Sequence, residues 1–588
     1  MIVALLVACA PPEPYAVPAG ATTSLFAFDG PLATFPDDLH TTPDPSTVTG
    51  ARVSFSDEAW AELDALVPPS FTLRGALESL DGFGTSAGVM LTFSAPIDLT
   101  SVTPEGVLLV DLATGAAVPW TASATTSGTT LVITPDEPLQ DHARYGLAVT
   151  RLRDASGADV AASVDFRALV TGDAPPEISA ALTPAYALLA SHAGVRPEDL
   201  IAGTVFTTQS IYAESAAAAD LVSGQPGPVT PLGCVDEGAM RSCEVAVEVA
   251  DLLGDDGRLD AVELAGRYAL PVSVWLPPGE GPWPLVIYAH GLGGDRGEGR
   301  GVAQNLVDLG IAVAAVDAPS HGEHPAGGGT EFTSIFEFFG ISLVPVGMDV
   351  TRLRDGWRRA TWDKLQLVEA LRAGADVDGD GAPDLDGRVG FAGHSLGATM
   401  GPQLLAYDPE IGAAELATPG GRVTEIVHKG EIFAPMVALF APDDASDDDV
   451  DRFFPLLQAA IERGDAVNFG ALAREGGRDV LVTEVMADTI IPNVCTEALA
   501  RALGVHHAPP ILAPVVGIEP SAPLPLAGNL DGATALLYQY DVMWDDGALV
   551  DATHTHIHGS ESGVAQYRQF WATWAAGQAP EVIDPLAP

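Results

Sequence analysis

One serine stands in a setting where its type and spacing could do chemistry. Gly393-His394-Ser395-Leu396-Gly397 follows an apolar run ending at Ala392 and precedes an Ala/Met/Leu-rich helical stretch. In that context G-x-S-x-G forms a sharp strand-to-helix turn that lifts a hydroxyl above a sheet, and glycines let the chain turn and pack closely there. A serine hydroxyl is a poor nucleophile until a base takes its proton and a carboxylate holds that base in one tautomer. The pentapeptide therefore predicts acyl-transfer chemistry at Ser395, with a base and an acid elsewhere in the chain. Pro402, inside the helix that should follow, is expected to kink it or end its first stretch early.

With its preceding strand, this turn resembles the nucleophile elbow of the α/β-hydrolases. The resemblance implies the chain order serine, acid, histidine. Asp488 follows the apolar run Val480–Val485 in Met486-Ala487-Asp488-Thr489-Ile490-Ile491-Pro492, which is similar to the family's acid loop. The alternatives are a helix-capping role for Asp488 and an acid at Asp443 or Asp444. The base is expected within Asp551-Ala552-Thr553-His554-Thr555-His556-Ile557-His558-Gly559-Ser560. His558 is the choice, because His-Gly-Ser before a closing helix resembles secreted bacterial lipases; His556 is the rival base. An extended segment would point His554, His556 and His558 to one face, but no carboxylate or cysteine flanks them at zinc-motif spacing.

Oxyanion donors are expected from backbone amides. Ala289-His290-Gly291-Leu292-Gly293-Gly294 resembles the family's His-Gly loop, which implies the amides of Leu292 and Leu396 as the pair, with His290 shaping the loop. Asp317-Ala318-Pro319-Ser320-His321-Gly322 resembles a further family turn, with Ser320 replacing a glycine.

These residues need a scaffold. From about Arg267 onward, apolar runs at 284–289, 311–316, 389–392, 435–440, 480–485 and 535–538 alternate with helical stretches. This pattern indicates a mostly parallel sheet covered by helices on both faces. Residues 51–170 alternate short β-like runs with turn residues, as in a β-sandwich. The pieces at 93–98 and 145–150 resemble bacterial immunoglobulin-like modules. The expected organisation is multidomain: 1–9 a lipoprotein signal segment, 10–50 a tether and extension, 51–170 an all-β immunoglobulin-like sandwich, 171–266 a linker with a docking helix and a disulfide loop, and 267–588 the α/β-hydrolase domain. Leu80-Asp81-Gly82-Phe83-Gly84-Thr85-Ser86 and Thr204-Val205-Phe206-Thr207-Thr208-Gln209-Ser210, ahead of that domain, resemble bacterial lipoprotein lipases with a virulence-factor-lipase N-terminal domain. That resemblance implies hydrolysis of carboxylic or lipid esters at a cell surface.

The chain of 588 residues is 47% hydrophobic and 18% charged, so it has the apolar material for several cores. Its 27 basic and 79 acidic residues give a formal charge of -52, which argues against nucleic acid as a partner. Leu6-Val7-Ala8-Cys9 resembles a lipobox, implying a lipid on Cys9, membrane attachment and an exported lipoprotein at the outer membrane or cell surface. Cys234 and Cys243 bracket a short polar loop and suit a disulfide, leaving Cys495 as a buried thiol.

Asp376, Asp378, Asp380 and Asp384 alternate around a glycine like the opening of a Ca²⁺ loop, although Gly387 takes the place of the closing glutamate. The two readings are a structural calcium ion and a solvated acidic turn; catalysis itself requires no cofactor. Phe332, Ile335, Phe336, Phe338 and Phe339, between His324 and Asp349, are read either as an acyl pocket or lid or as an ordinary packed helix. The expected activity is ester or lipid hydrolysis. A catalytically dead adhesion lipoprotein and a peptidase or polyester depolymerase are the alternatives, since one triad attacks amides and esters alike.

Overall fold

The computed structural model describes residues 15–66, 70–224, 226–327, 331–372 and 374–587. Cys9 lies outside the described residues, as does the side chain of Phe332.

Among the described residues the largest sheet has ten strands. They are β1 Val229–Asp236, β2 Arg241–Asp251, β3 Gly266–Leu276, β4 Trp283–Ala289, β5 Ala312–Val316, β6 Leu385–His394, β7 Ile411–Ala417, β8 Asp479–Val485, β9 His506–His507 and β10 Ala535–Tyr540. Their spatial order is β1-β2-β3-β5-β4-β6-β7-β8-β10-β9. The first three neighbouring pairs are antiparallel and the remaining six parallel. Helices that matter below are α1 Val350–Arg372, α2 Leu396–Tyr407, α3 Val423–Lys429, α4 Ala434–Phe440, α5 Asp447–Ile461, α6 Asn493–Ala502 and α7 Glu561–Ala575.

Alternation along β4 explains why this central strand is continuously apolar. Leu285 and Ile287 pack on one face with Leu367 of α1 and Leu404 of α2, whereas Val286 and Tyr288 pack on the other with Phe570 and Trp571 of α7. Both faces are dry, so neither parity of residue can be polar.

The N-terminal unit is a two-sheet sandwich. One sheet orders Thr34–Phe35, Val89–Thr92, Thr130–Pro135 and Trp120–Ala124; the other orders Val107–Asp111, Arg144–Val149 and Ala202–Thr207. Ala202–Thr207 falls in the segment expected to be linker, yet it pairs antiparallel along the whole of Arg144–Val149. The helix Pro176–His192 packs on the sandwich through Tyr186 and Leu189, which are buried with Val110 and Phe166. The expected linker at 171–266 therefore divides between the two units. Its later part forms the β1–β2 hairpin, where Cys234 and Cys243 face each other and are joined by a disulfide.

Three further expectations change. Residues 435–440 form helix α4 rather than a strand, and Pro435 occupies its first turn, where proline's missing N–H costs nothing. Helix α2 runs through Pro402 without ending. It is pressed onto the sheet there, for a Cβ on Gly401 would lie 2.7 Å from Phe391 and 2.8 Å from Leu416, and such packing overrides local propensity. Strand β7, rich in alanine and holding Glu415, was not expected at all.

Candidate active site

The turn between β6 and α2 has the strain its sequence implies. Ser395 adopts φ 54° and ψ -116°, a left-handed conformation unusual for a side-chain-bearing residue. Two glycines make it possible. A Cβ on Gly393 would lie 2.6 Å from the Ala398 amide nitrogen, and one on Gly397 would lie 2.0 Å from the Ala289 carbonyl oxygen.

Three side chains from three loops meet at this turn. The Ser395 hydroxyl lies 2.7 Å from Nε2 of His554, and Nδ1 of His554 lies 2.7 Å from Oδ2 of Asp488. A carboxylate only accepts, so Nδ1 carries the proton and Nε2 is left to accept from the serine. The other oxygen of Asp488 accepts from the amides of Ile490 (2.8 Å) and Ile491 (3.1 Å), which fixes the carboxylate's orientation. Ser395 and His554 are buried, and the side chain of Asp488 is 3% exposed. The loop is tied down a second time by His394, whose Nε2 donates to the His554 carbonyl at 2.9 Å. Burial, reinforced by His558 and His554, drives the His394 imidazole down to about 3 and keeps it neutral.

The histidine at Ser395 is thus His554, not His558 or His556. The segment is not extended: the amides of His556 and Ile557 both turn back to the Thr553 carbonyl, and a 3₁₀ turn covers Ile557–Gly559. The three rings therefore diverge. His558 is stacked on Tyr567 (5.0 Å), His394 (5.7 Å) and Tyr288 (5.8 Å), and its Nε2 lies 3.3 Å from Glu415 on β7. His556 is exposed, with Nδ1 2.9 Å from the Thr553 hydroxyl. Glu415 is almost fully buried in an apolar strand, and a buried carboxylate requires a partner. Asp443 and Asp444 are exposed between α4 and α5 and make no part of this cluster.

The expected oxyanion amides are free to act. Among the described residues neither the Leu292 nor the Leu396 amide donates to another acceptor. Leu396 begins α2, where amides lack intrahelical partners. Gly291 faces the serine: a Cβ there would lie 3.6 Å from Cβ of Ser395. His290 shapes this loop, with Nδ1 donating to the Gly291 carbonyl (2.8 Å) and Nε2 accepting from the Ala318 amide (2.9 Å). Both nitrogens are occupied in the neutral form only, and burial lowers this imidazole to about 4. Asp317 is paired with Arg296 at 2.6 Å, which anchors the neighbouring turn.

An apolar cavity of about 800 Å³, its open mouth included, lies under α3, α4 and α5. Phe339, Leu353, Val423 and Leu457 line it and belong to the same packed cluster as Leu396, next to the serine, and Ile491 of the acid loop. Leu292 and Ile490 pack against that cluster as well. Of the expected aromatic insertion, Phe339 lines the cavity, whereas Phe338 packs on Trp357 and His321.

The acidic loop before β6 brings carboxylate oxygens of Asp376, Asp378 and Asp384 within 4.8 Å of one another; Asp380 is not among them. Those carboxylates already have partners. Asp376 accepts from the amides of Gly379 and Gly381, Asp384 from those of Val377 and Asp378, and Asp378 is paired with Arg241. A guanidinium therefore stands beside one of the three carboxylates a cation would use, and the loop closes as an amide-capped turn. The donor set suits Ca²⁺ in chemical type but offers fewer side-chain ligands than the six to eight oxygens that ion takes.

Residues 79–168 match the family of bacterial Ig-like domains. A 2,6-dihydropseudooxynicotine hydrolase of Paenarthrobacter nicotinovorans is 27% identical over 177 residues, 30% of this chain and 39% of its own length. The chain thus spans about two fifths of that curated relative. Acetyl xylan esterase 1 from Thermoanaerobacterium sp. superposes with TM-score 0.36 at 15% identity, over 58% of this chain and 87% of that one. An esterase of Pyrococcus furiosus gives TM-score 0.32 at 15% identity, over 60% and 97% respectively. The chain carries an N-terminal immunoglobulin-like sandwich and a C-terminal, mostly parallel ten-stranded sheet, with Ser395 at the turn that follows β6.

Proposed function

We propose that the protein is a serine carboxylester hydrolase acting through an acyl-enzyme on Ser395. The observation that carries this reading is the unbroken chain of hydrogen bonds from the Ser395 hydroxyl through His554 to Asp488, each link 2.7 Å, at a strained elbow. In the reaction, Oγ of Ser395 attacks the ester carbonyl while Nε2 of His554 takes its proton. Asp488 holds the imidazolium, and the amides of Leu292 and Leu396 receive the oxyanion. His554 then returns the proton to the departing alcohol. Water repeats the sequence to free the acid and restore the serine.

The cavity under α3, α4 and α5, whose lining shares a packed core with Leu396, is read as the acyl pocket and favours substrates with an apolar acyl part, because its walls are aliphatic and aromatic side chains with only Thr424 and Asp449 interrupting them. Lipid attachment at Cys9, placing this activity at a membrane surface, belongs to the same reading and is tested by metabolic labelling with palmitate in the wild type and Cys9→Ala. For the enzyme itself the test is hydrolysis of p-nitrophenyl esters. Ser395→Ala should abolish it, and a variant retaining more than a hundredth of the wild-type rate would refute the assignment.

A further inference from the structure

Helix α5 is one of the places where the sandwich unit meets the catalytic unit. Helix α5 lies over the apolar cavity, which it lines with Val450, Phe453 and Leu457. Its other flank is held by the sandwich at both ends. At the start of α5, Asp448 accepts from the Ser127 amide and hydroxyl and from the hydroxyls of Thr125 (2.9 Å) and Thr129 (3.2 Å). One turn on, Asp451 accepts from the Thr126 amide at 2.8 Å and also meets Nε2 of His428 at 3.1 Å.

Just past the end of α5, Glu462 is completely buried. Its carboxylate accepts from the amides and hydroxyls of Thr85 and Ser86 and from the Ala87 amide. Gly84 is needed for this cradle, since a Cβ there would lie 2.9 Å from the Glu462 carboxylate. Gln209 donates to the Ala459 carbonyl at 2.7 Å, and the Ser210 amide and hydroxyl hold Asp81 in place. The segments at 80–86 and 204–210, singled out by sequence alone, thus hold the C-terminal end of α5 and Glu462 beyond it.

The sandwich unit also contributes to the cavity wall. Ser70–Thr72 pairs with the hairpin formed by the strands Ile341–Leu343 and Val346–Met348: the Thr72 amide donates to the Met348 carbonyl (3.0 Å) and the Met348 amide to that of Ser70 (3.3 Å). This pairing sets the Phe71 ring into the lining, 6.4 Å from the Phe440 ring and 6.3 Å from that of Phe453. A module serving only as a spacer needs neither a buried carboxylate lock nor a side chain in the other unit's cavity.

We propose that the N-terminal immunoglobulin-like unit is a working part of the acyl site: it clamps α5 over the cavity and supplies Phe71 as a wall that selects acyl length. This rests on the ester-hydrolase reading of Ser395 and adds where selectivity resides. Phe71→Trp should fill space between Phe440 and Phe453 and exclude long chains. Asp448→Ala/Asp451→Ala should let α5 drift while leaving the serine's own chemistry intact.

The test measures, in the full-length protein, the ratio of kcat/KM for p-nitrophenyl decanoate to that for the acetate ester, together with the rate of Ser395 labelling by a small fluorophosphonate. The ratio should fall at least fivefold in both variants, with labelling of the Asp448→Ala/Asp451→Ala variant within twofold of wild type. A ratio that stays within fivefold of wild type in either folded variant overturns the proposal. If the double variant does not fold, Phe71→Trp alone decides. Absence of labelling in the wild type would instead refute the function of Ser395, so the two failures are distinguishable.

Discussion

Replacing His554 by alanine removes both 2.7 Å contacts at once and leaves Ser395 without a proton acceptor and Asp488 without a donor partner. General-base assistance alone is worth about two to four powers of ten, and loss of the tautomer-fixing pair adds to it. A fall in kcat of roughly three to five powers of ten is expected, or about 4–7 kcal/mol at 1.36 kcal/mol per decade. His558→Ala should behave oppositely. It empties a slot between three aromatic rings and leaves buried Glu415 without its imidazole. That loss costs stability, on the order of 2–4 kcal/mol and a few degrees in Tm, while kcat stays within about tenfold of wild type. Both variants are assayed side by side for p-nitrophenyl acetate turnover and thermal melting, at equal folded fraction. A His558→Ala variant that folds at the assay temperature and loses activity like His554→Ala would refute the assignment of the base.

Other outcomes follow from the same geometry. Burial pushes Glu484, on the strand leading to the acid loop, up to about 7. Between its ordinary value of 4.5 and about 7 the folded chain holds a proton that the unfolded chain releases, so stability falls as pH rises through that window, by roughly 3 kcal/mol in all. Glu484→Gln removes this term, and its Tm relative to wild type should be higher at pH 8 than at pH 4.5; an equal offset at both would refute the linkage. The acidic loop sits at the start of the ten-residue strand β6 and Ser395 at its end, roughly 30 Å apart. Excess EDTA should therefore leave kcat within twofold, and inactivation without unfolding would contradict that separation. The Cys495 thiol is fully buried and its pKa is raised by burial, so it should react with a disulfide reagent only after unfolding.

Much of the scaffold was legible because its signals are local. β4 and β5 are unbroken apolar runs, β6, β8 and β10 each contain one at 389–392, 480–482 and 535–538, and the elbow is a pentapeptide whose glycines have no substitute. Which histidine meets Ser395 was not legible, because choosing among three depends on where a distant carboxylate lies. His558 is drawn away by Glu415 on β7, a strand whose alanines and lone glutamate carry little β signal. A single carboxylate inside an apolar segment was the available clue, since burial obliges it to find a partner. Ala202–Thr207 was missed for a similar reason: its place in the sandwich is set by pairing with a strand more than fifty residues earlier. α4 misread as a strand shows the limit of apolar runs, which look alike in either conformation until a proline at the first turn is given weight.

The central claim is that Ser395 is a nucleophile activated by His554. Mass spectrometry of the intact protein and its peptides after reaction with a fluorophosphonate tests it most directly. The account predicts one adduct, on the peptide containing Ser395, forming at least a hundredfold more slowly in His554→Ala. An adduct on another serine, or undiminished labelling without His554, would contradict it.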